Sequence, residues 1–172
     1  MPLIPDAAAF QSNLTSLPVS IFQPGETVLA TGSVTERLLF LKEGVVEVVR
    51  DGIQIARISE RGAVFGELAV LLDKPHTADV RAVQRAEFHV ADATTLLSEN
   101  PTALLYVAAI LARRLDGANA ALLDVKRQLD TGKPHNMIAK SVANVEHLLN
   151  LGGGDLVYAG YPYDPLASPP PR

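Results

Sequence analysis

The chain has 172 residues, of which 48% are hydrophobic and 20% are charged, and its formal net charge is −4. This length and composition are typical of one globular domain with an additional element or tail, and they exclude a largely disordered chain. The negative net charge argues against a protein that holds nucleic acid mainly by neutralising phosphates. The chain contains no cysteine, which excludes a disulfide framework and a thiolate metal site.

The first residues lack the basic and apolar regions of a secretory signal, and no apolar run reaches the roughly 20 residues needed to cross a bilayer. We therefore expect a cytoplasmic protein. A short helix is predicted over residues 6–14, with Pro18 beyond its end.

From Val19 onwards the pattern changes to short β-branched or apolar runs separated by glycine-containing turns. The runs are VSIF, TVLA, LLFL, GVVEVV, IQIARI, DVRAV and AEFHV. Short strands with this punctuation indicate an antiparallel roll or sandwich. The segment RDGIQ predicts a hairpin, because Gly52 can adopt a positive φ without steric cost.

Beyond the strands, DATTLLSENP predicts a short helix that ends at Asn100, and Pro101 is well placed to begin a long one. Apolar residues recur along the long helix in alternating steps of four and three, the pattern of a dimeric coiled coil. This seam comprises Leu104, Ala108, Leu111, Leu115, Ala118, Leu122, Val125 and Leu129. The alternative is a helix packed on its own β domain. Gly117 lowers the stability of the helix in both arrangements.

We predict three regions: a β roll with its N-terminal helix over residues 1–100, the long helix over 101–131, and an extra helix with a tail rich in proline and glycine over 132–172. The extra helix is predicted over about residues 136–151. The remaining residues are too short for a winged helix-turn-helix and carry no basic face, so no direct nucleic acid binding is predicted.

The segments FQPGETVLATG, LLFLKEGVVEVV and ISERGAVFGELAVLLDKPHTADVRA, in this order, resemble the cyclic nucleotide-binding domain family. That family includes bacterial catabolite activators, protein kinase A regulatory subunits and cyclic nucleotide-gated channels. The resemblance implies an α+β fold: an antiparallel, jelly-roll-like β roll (a double-stranded β-helix) with short flanking helices and a long C-terminal dimerisation helix. It also implies a phosphate-binding cassette, here FGELAVLLDKPHTA, residues 65–78.

The resemblance implies that the cassette binds cyclic AMP or cyclic GMP. Glu67 would accept a hydrogen bond from the ribose 2′-hydroxyl, the N–H groups of Leu68 and Ala69 would meet phosphate oxygens, and Thr77 would contact the phosphate or the base. The predicted binding residues are Phe65, Gly66, Glu67, Leu68, Ala69, His76, Thr77 and Ala78. A short helix that starts near Gly66 offers free N–H groups and a positive dipole end to an anion.

His76 stands where the family usually places an arginine that pairs with the phosphate. Arginine is always charged and donates to two oxygens at once, whereas histidine is mostly neutral at pH 7 and offers one donor. Either His76 binds phosphate together with a proton, or the pocket has lost its usual ligand. Lys74 and Arg81 are nearby in sequence and could partly replace the arginine, and capping by the long helix, which the resemblance implies, would bring Arg113 or Arg114 near the ligand. The alternative for all four is a solvated charge.

We therefore expect a regulatory sensor that binds a cyclic nucleotide, forms a homodimer through residues 104–129 and signals to an unidentified protein partner. Two alternatives remain: a ligand-independent adaptor or dimerisation protein, and a transcription regulator similar to the catabolite activator. No enzyme is predicted. The four histidines show no metal-ligand spacing, and no serine lies in a nucleophile-elbow context.

Overall fold

A computed structural model describes Phe10 and residues 14–130 of the chain. The strands are β1 (Val19–Phe22), β2 (Thr27–Leu29), β3 (Arg37–Glu43), β4 (Val46–Arg50), β5 (Ile53–Ile58), β6 (Val64–Phe65), β7 (Asp79–Ala82) and β8 (Ala86–Asp92). The helices are α1 (Glu67–Leu71), α2 (Ala93–Glu99) and α3 (Pro101–Asp130). Each of the predicted apolar runs contains a strand. Strand β6 was not predicted, because its two residues are too few to show an alternation of apolar and polar side chains.

The strands form two four-stranded antiparallel sheets, in the orders β1-β8-β3-β6 and β2-β7-β4-β5. The predicted antiparallel roll with flanking helices and a long C-terminal helix is therefore confirmed. The predicted region 132–172 lies outside the described residues, as does most of the predicted N-terminal helix. Phe10 and Leu14 of that helix are described as helical, and both are buried.

Strand β3 divides the interior of the protein into two cores, because successive side chains of a strand point to opposite faces. Leu38 and Phe40 join the core against the helices, whereas Leu39 and Leu41 join the core between the two sheets. All four side chains are at most 4% exposed. The first sheet is thus packed on both faces, which explains why β3 reads as a continuous apolar run.

The helices at the C-terminal side are fixed by local caps and by one aromatic cluster. The Asp92 carboxylate accepts a hydrogen bond of 2.8 Å from the N–H of Thr95 at the start of α2, and this bond holds the pKa of Asp92 below its usual value. The Asn100 side chain accepts from Ala103 N–H at 3.0 Å and caps α3. Pro101 occupies the first position of α3, as predicted.

Tyr106 joins α3 to the roll. Its ring stacks on Phe10 at a centroid distance of 4.1 Å, and its hydroxyl donates to the carbonyl of Gly62 at 3.1 Å. Burial raises the pKa of the Tyr106 phenol. This contact and its neighbours Ala103, Val107 and Ile110 anchor the N-terminal half of α3 on the helix-facing core.

No single helix in the described part of the chain is long and apolar enough to cross a membrane. The helices α2 and α3 meet the length and composition criteria only as a pair bent by 106°.

Gly44 follows β3 and packs closely against the start of β8. Its φ is +105°, and a Cβ atom there would approach the Arg85 carbonyl oxygen to 2.4 Å. Gly52, in the predicted hairpin turn, also has a positive φ of +78°, but a Cβ would meet nothing within 4 Å. A residue with a side chain would therefore be strained at either position, but only at position 44 would its Cβ also clash with neighbouring atoms.

We expect Gly44→Ala to destabilise the protein more than Gly52→Ala. Both variants should lose about 1–2 kcal/mol from the positive φ, and Gly44→Ala should lose about 1–3 kcal/mol more from overlap with the β8 backbone. Urea unfolding of both variants measures the difference. Equal free energies of unfolding would contradict the packing of Gly44 on β8.

Candidate functional site

The cassette begins at β6 and passes into α1 through Gly66. Gly66 has a φ of +90°, and a Cβ there would approach the Arg37 carbonyl oxygen to 2.5 Å, so only glycine fits this junction without displacement of β3. The close approach of residue 66 to β3 places Glu67 at the start of α1 on the inner side of the roll, where it is 4% exposed.

The cassette lines a cavity of about 420 Å³ between the second sheet, the cassette and α3. This volume lies within the range of about 300–1,000 Å³ that is usual for small-molecule sites. The second sheet contributes an apolar wall from β2, β4, β5 and β7, and α3 contributes Leu111, Arg114 and Leu115. The apolar side chains from the sheet are Leu29, Val48, Ile55, Ala56, Ile58 and Val80.

The structure brings all the predicted binding residues to this one cavity: Phe65, Gly66, Glu67, Leu68, Ala69, His76, Thr77 and Ala78 all line it. Lys74 lines it as well, whereas Arg81 pairs with Asp79 at 2.7 Å outside the lining. Of the two arginines that the resemblance placed near the ligand, Arg114 lines the cavity and Arg113 does not.

Glu67 forms a buried ion pair with Arg114, from α3. The Arg114 Nη1 atom donates to the Glu67 Oε1 atom, and Nη2 donates to the Val64 carbonyl oxygen at 3.1 Å. The two side chains are only 5% and 17% exposed. Burial raises the pKa of the Glu67 carboxyl above its usual value, while the adjacent guanidinium opposes this shift. The pair links the cassette, β6 and α3.

His76 is held by the segment between β2 and β3. Its backbone N–H donates to the Ser33 carbonyl at 2.9 Å, its carbonyl accepts from Gly32 N–H at 2.8 Å, and its Nε2 atom shares a hydrogen bond of 2.9 Å with Thr35 Oγ1. The residue is 7% exposed. Burial lowers the pKa of its imidazole below the usual 6.5, so His76 is neutral at pH 7.

Sequence reasoning did not single out Thr35 or Arg50, although Arg50 lines the cavity from β4. No local signal marks either residue, because both reach the site only through the folding of the two sheets. The charged groups at the cavity are the cations Arg50, Lys74 and Arg114 and the carboxylate Glu67. The described residues contain no group of three His, Cys, Asp or Glu that could hold a metal ion.

Curated relatives of this chain include membrane channels. The potassium/sodium hyperpolarization-activated cyclic nucleotide-gated channel 3 of Homo sapiens is 36% identical over 84 residues, which cover 48% of this chain and 11% of the channel. Channel 2 of Mus musculus is 36% identical over 69 residues, which cover 40% of this chain and 8% of the channel. The chain therefore spans about a tenth of the length of these relatives.

The fold is shared with solved structures. The catabolite activator protein of Thermus thermophilus superposes with a TM-score of 0.58 at 21% identity, over 86% of this chain and 82% of that one. A cyclic nucleotide-binding domain from Methylobacillus flagellatus gives a TM-score of 0.56 at 21% identity, over 63% and 67%. The model of the cyclic nucleotide-binding domain family matches residues 19–98. Over residues 19–98, this chain is therefore similar to the cyclic nucleotide-binding domain family.

Proposed function

We propose that the cavity binds a 3′,5′-cyclic nucleotide, cyclic AMP or cyclic GMP, as a regulatory ligand. The observation that carries this proposal is the convergence of all the predicted binding residues on one cavity of about 420 Å³ in a region that matches this family. The apolar wall of the second sheet suits a purine base, and the cassette end suits a sugar and a phosphate.

The charge of the cavity suits a monoanionic ligand. Three cations and one carboxylate line it. Arg114 is neutralised by Glu67, which leaves Lys74 and Arg50 as cations for an incoming phosphate. Neither replaces a cassette arginine, because lysine is a point charge without the bidentate fork and Arg50 lies on β4, in the second sheet.

His76 would add a positive charge to phosphate binding only in its protonated form, because the neutral ring offers at most one hydrogen-bond donor. In the free protein the imidazole is neutral and bonded to Thr35. A bound phosphate anion raises the histidine pKa because it stabilises the imidazolium. Binding of the nucleotide would then be coupled to uptake of a proton.

The state of His76 in the free protein also favours a second candidate function, that of a ligand-independent scaffold. A buried, neutral His76 already bonded to Thr35 satisfies the cassette without any phosphate. The two candidates can be distinguished by nucleotide binding. Only the sensor binds a nucleotide, and its affinity should depend on pH.

We expect the affinity for cyclic AMP or cyclic GMP to increase as the pH falls from about 8 to about 6. The expected slope is at most about tenfold per pH unit, because one proton is taken up between the lowered pKa of free His76 and the raised pKa of bound His76. Isothermal titration calorimetry in two buffers with different ionisation enthalpies measures both the affinity and the proton uptake.

The matched control is His76→Gln, which keeps a hydrogen-bonding group for Thr35 but cannot be protonated. It should bind weakly and without the pH slope, whereas His76→Arg should bind more tightly than the wild type by about tenfold or more. Failure of both the wild type and His76→Arg to bind at millimolar nucleotide favours the scaffold. A slope that persists in His76→Gln contradicts the role of His76.

We also propose that the protein is a homodimer that passes the ligand signal to a protein partner through α3. Three residues of the predicted seam on α3 are exposed: Leu104, Leu115 and Leu122 are 43%, 63% and 67% exposed, whereas Leu111 packs partly against the core. Their heptad spacing is self-complementary, and this argues for a second copy of α3 as the occupant of this face. Leu111 and Leu115 belong to both the seam and the cavity wall, so a ligand would contact the dimer helix.

We expect Leu122→Glu to convert the dimer to a monomer, because it would bury two carboxylates in the seam. The control is Leu123→Glu, since Leu123 is 47% exposed but lies outside the seam. Sedimentation equilibrium gives the mass of each protein. A monomeric wild type, or a Leu122→Glu variant that remains dimeric, would contradict the seam.

A further inference from the structure

A second buried histidine, His89, lies outside the cavity. It is part of β8, opposite Val19 of β1 and Phe40 of β3. Because paired residues of neighbouring antiparallel strands point to the same face of a sheet, the His89 side chain shares the face of Phe40, which carries the helix-facing core. His89 is only 6% exposed.

The imidazole of His89 connects β8 to the N-terminal segment, which comprises Phe10 and residues 14–18. An N–H group of the ring donates to the backbone carbonyl of Leu17. The Nδ1 atom is buried and has no hydrogen-bond partner among the described residues. This arrangement suits the neutral imidazole, in which one nitrogen donates and the other carries no proton.

Protonation of His89 would place an N–H group at Nδ1 without an acceptor among the described residues, and a buried charged donor without a partner is costly. The cations Lys42, from β3, and Arg61, from the segment between β5 and β6, add repulsion. Glu87, from β8 itself, opposes them, but it already accepts from Lys42 at 2.8 Å and from Arg85 at 2.6 Å. Strand β1 contributes no titratable side chain. Burial, and then the nearby cations, hold the pKa of His89 below its usual 6.5.

The bond to Leu17 is part of a short run of contacts that fixes the N-terminal segment on β8. The Val90 N–H, next to His89, donates to the Pro18 carbonyl at 2.9 Å. The Leu17 N–H donates to the Leu14 carbonyl at 3.0 Å. Two adjacent residues of the segment, 17 and 18, are therefore held by two adjacent residues of β8.

The N-terminal segment in turn supports α3. Phe10 and Leu14 are 0% and 2% exposed in the helix-facing core, and the Phe10 ring stacks on Tyr106 of α3. Release of Leu17 from β8 would therefore weaken an aromatic contact that anchors the long helix.

We propose that His89 is a pH-sensitive latch, which holds the N-terminal segment on β8 while its imidazole is neutral and releases the segment when the imidazole is protonated. Because the closed form disfavours the proton, the latch is fully closed above about pH 6.5 and loses stability as the pH falls below that value. Its opening loosens α3 from the side of the core, whether or not the cavity holds a ligand. This inference does not rest on the proposed function.

The test is amide hydrogen exchange, followed by NMR between about pH 7 and about pH 5, in the wild type and in His89→Gln. In the wild type we expect the protection factors of the Leu17 and Val90 amides to fall by up to about tenfold per pH unit below about pH 6.5. The glutamine amide can donate to Leu17 but cannot be protonated, so the pH dependence should disappear in His89→Gln. The Val83 amide, which donates to the Val45 carbonyl at 2.8 Å, is the reference and should keep its protection.

The matched control is His76→Gln, which removes the buried histidine of the cassette and should retain the wild-type pH dependence at Leu17 and Val90. Loss of that dependence in His76→Gln would assign it to His76 and overturn the inference. Protection of Leu17 and Val90 that does not change with pH in the wild type, or that falls equally in His89→Gln, also overturns it.

The titration of His89 itself is measured in the wild type by carbon NMR of the labelled imidazole, so this readout does not depend on the folding of any variant. We expect the pKa of His89 to lie below about 6.5 and the ring signals of Tyr106 to change with the same midpoint. A pKa at or above that value, or Tyr106 signals that stay constant while His89 titrates, would contradict the latch.

Discussion

The buried contact between Glu67 and Arg114 is the interaction on which the site depends. It connects the cassette to α3, and through the Val64 carbonyl it also includes β6. Loss of one partner of a buried pair is typically far more harmful than loss of both, because a charge is left without compensation. The pair therefore ties the geometry of the cavity to the position of the long helix, and any ligand that contacts Glu67 also acts on α3.

The replacement of arginine by His76 is accommodated by the structure. The imidazole is buried near Gly66 and bonded to Thr35, and a neutral ring suits this environment better than a permanent cation would. The cavity consequently has less positive charge at the cassette end than the family pattern implies. In the proposed function, proton-coupled binding would reconcile a neutral resting site with an anionic ligand, and it would make the protein responsive to pH as well as to nucleotide.

The fold and the cassette could be predicted from the sequence because their signals are local. Short strands, glycine turns and the contiguous run of residues 65–78 carry the pattern. On α3 the heptad residues Leu115 and Leu122 are exposed, whereas Tyr106 and Ile110 are buried, and the dimer seam stays a prediction. Contacts between residues that are far apart in the sequence could not be predicted. Thr35 lies 41 residues from His76, and only the pairing of the sheets brings them together.

The position of Arg114 could be predicted only in part, because the resemblance pointed to two neighbouring arginines as the residue near the ligand and could not decide between them. The structure decides it: Arg114 lines the cavity together with Leu111 and Leu115, whereas Arg113 does not line it and its charge acts on the Tyr106 phenol. The short strand β6 was missed for a different reason. Its two residues form a strand because they pair with Leu39 and Phe40 of β3, which is a tertiary constraint.

The proposal that a cyclic nucleotide binds at the cassette is tested by amide NMR of the labelled protein during titration with cyclic AMP and then cyclic GMP. We expect saturable shifts for at least one nucleotide, largest at the N–H groups of Leu68 and Ala69 and at His76, with Thr95 at the start of α2, outside the cavity lining, as an unaffected reference. Uniformly unchanged spectra with both nucleotides, or shifts confined to residues outside the cavity wall, would contradict it.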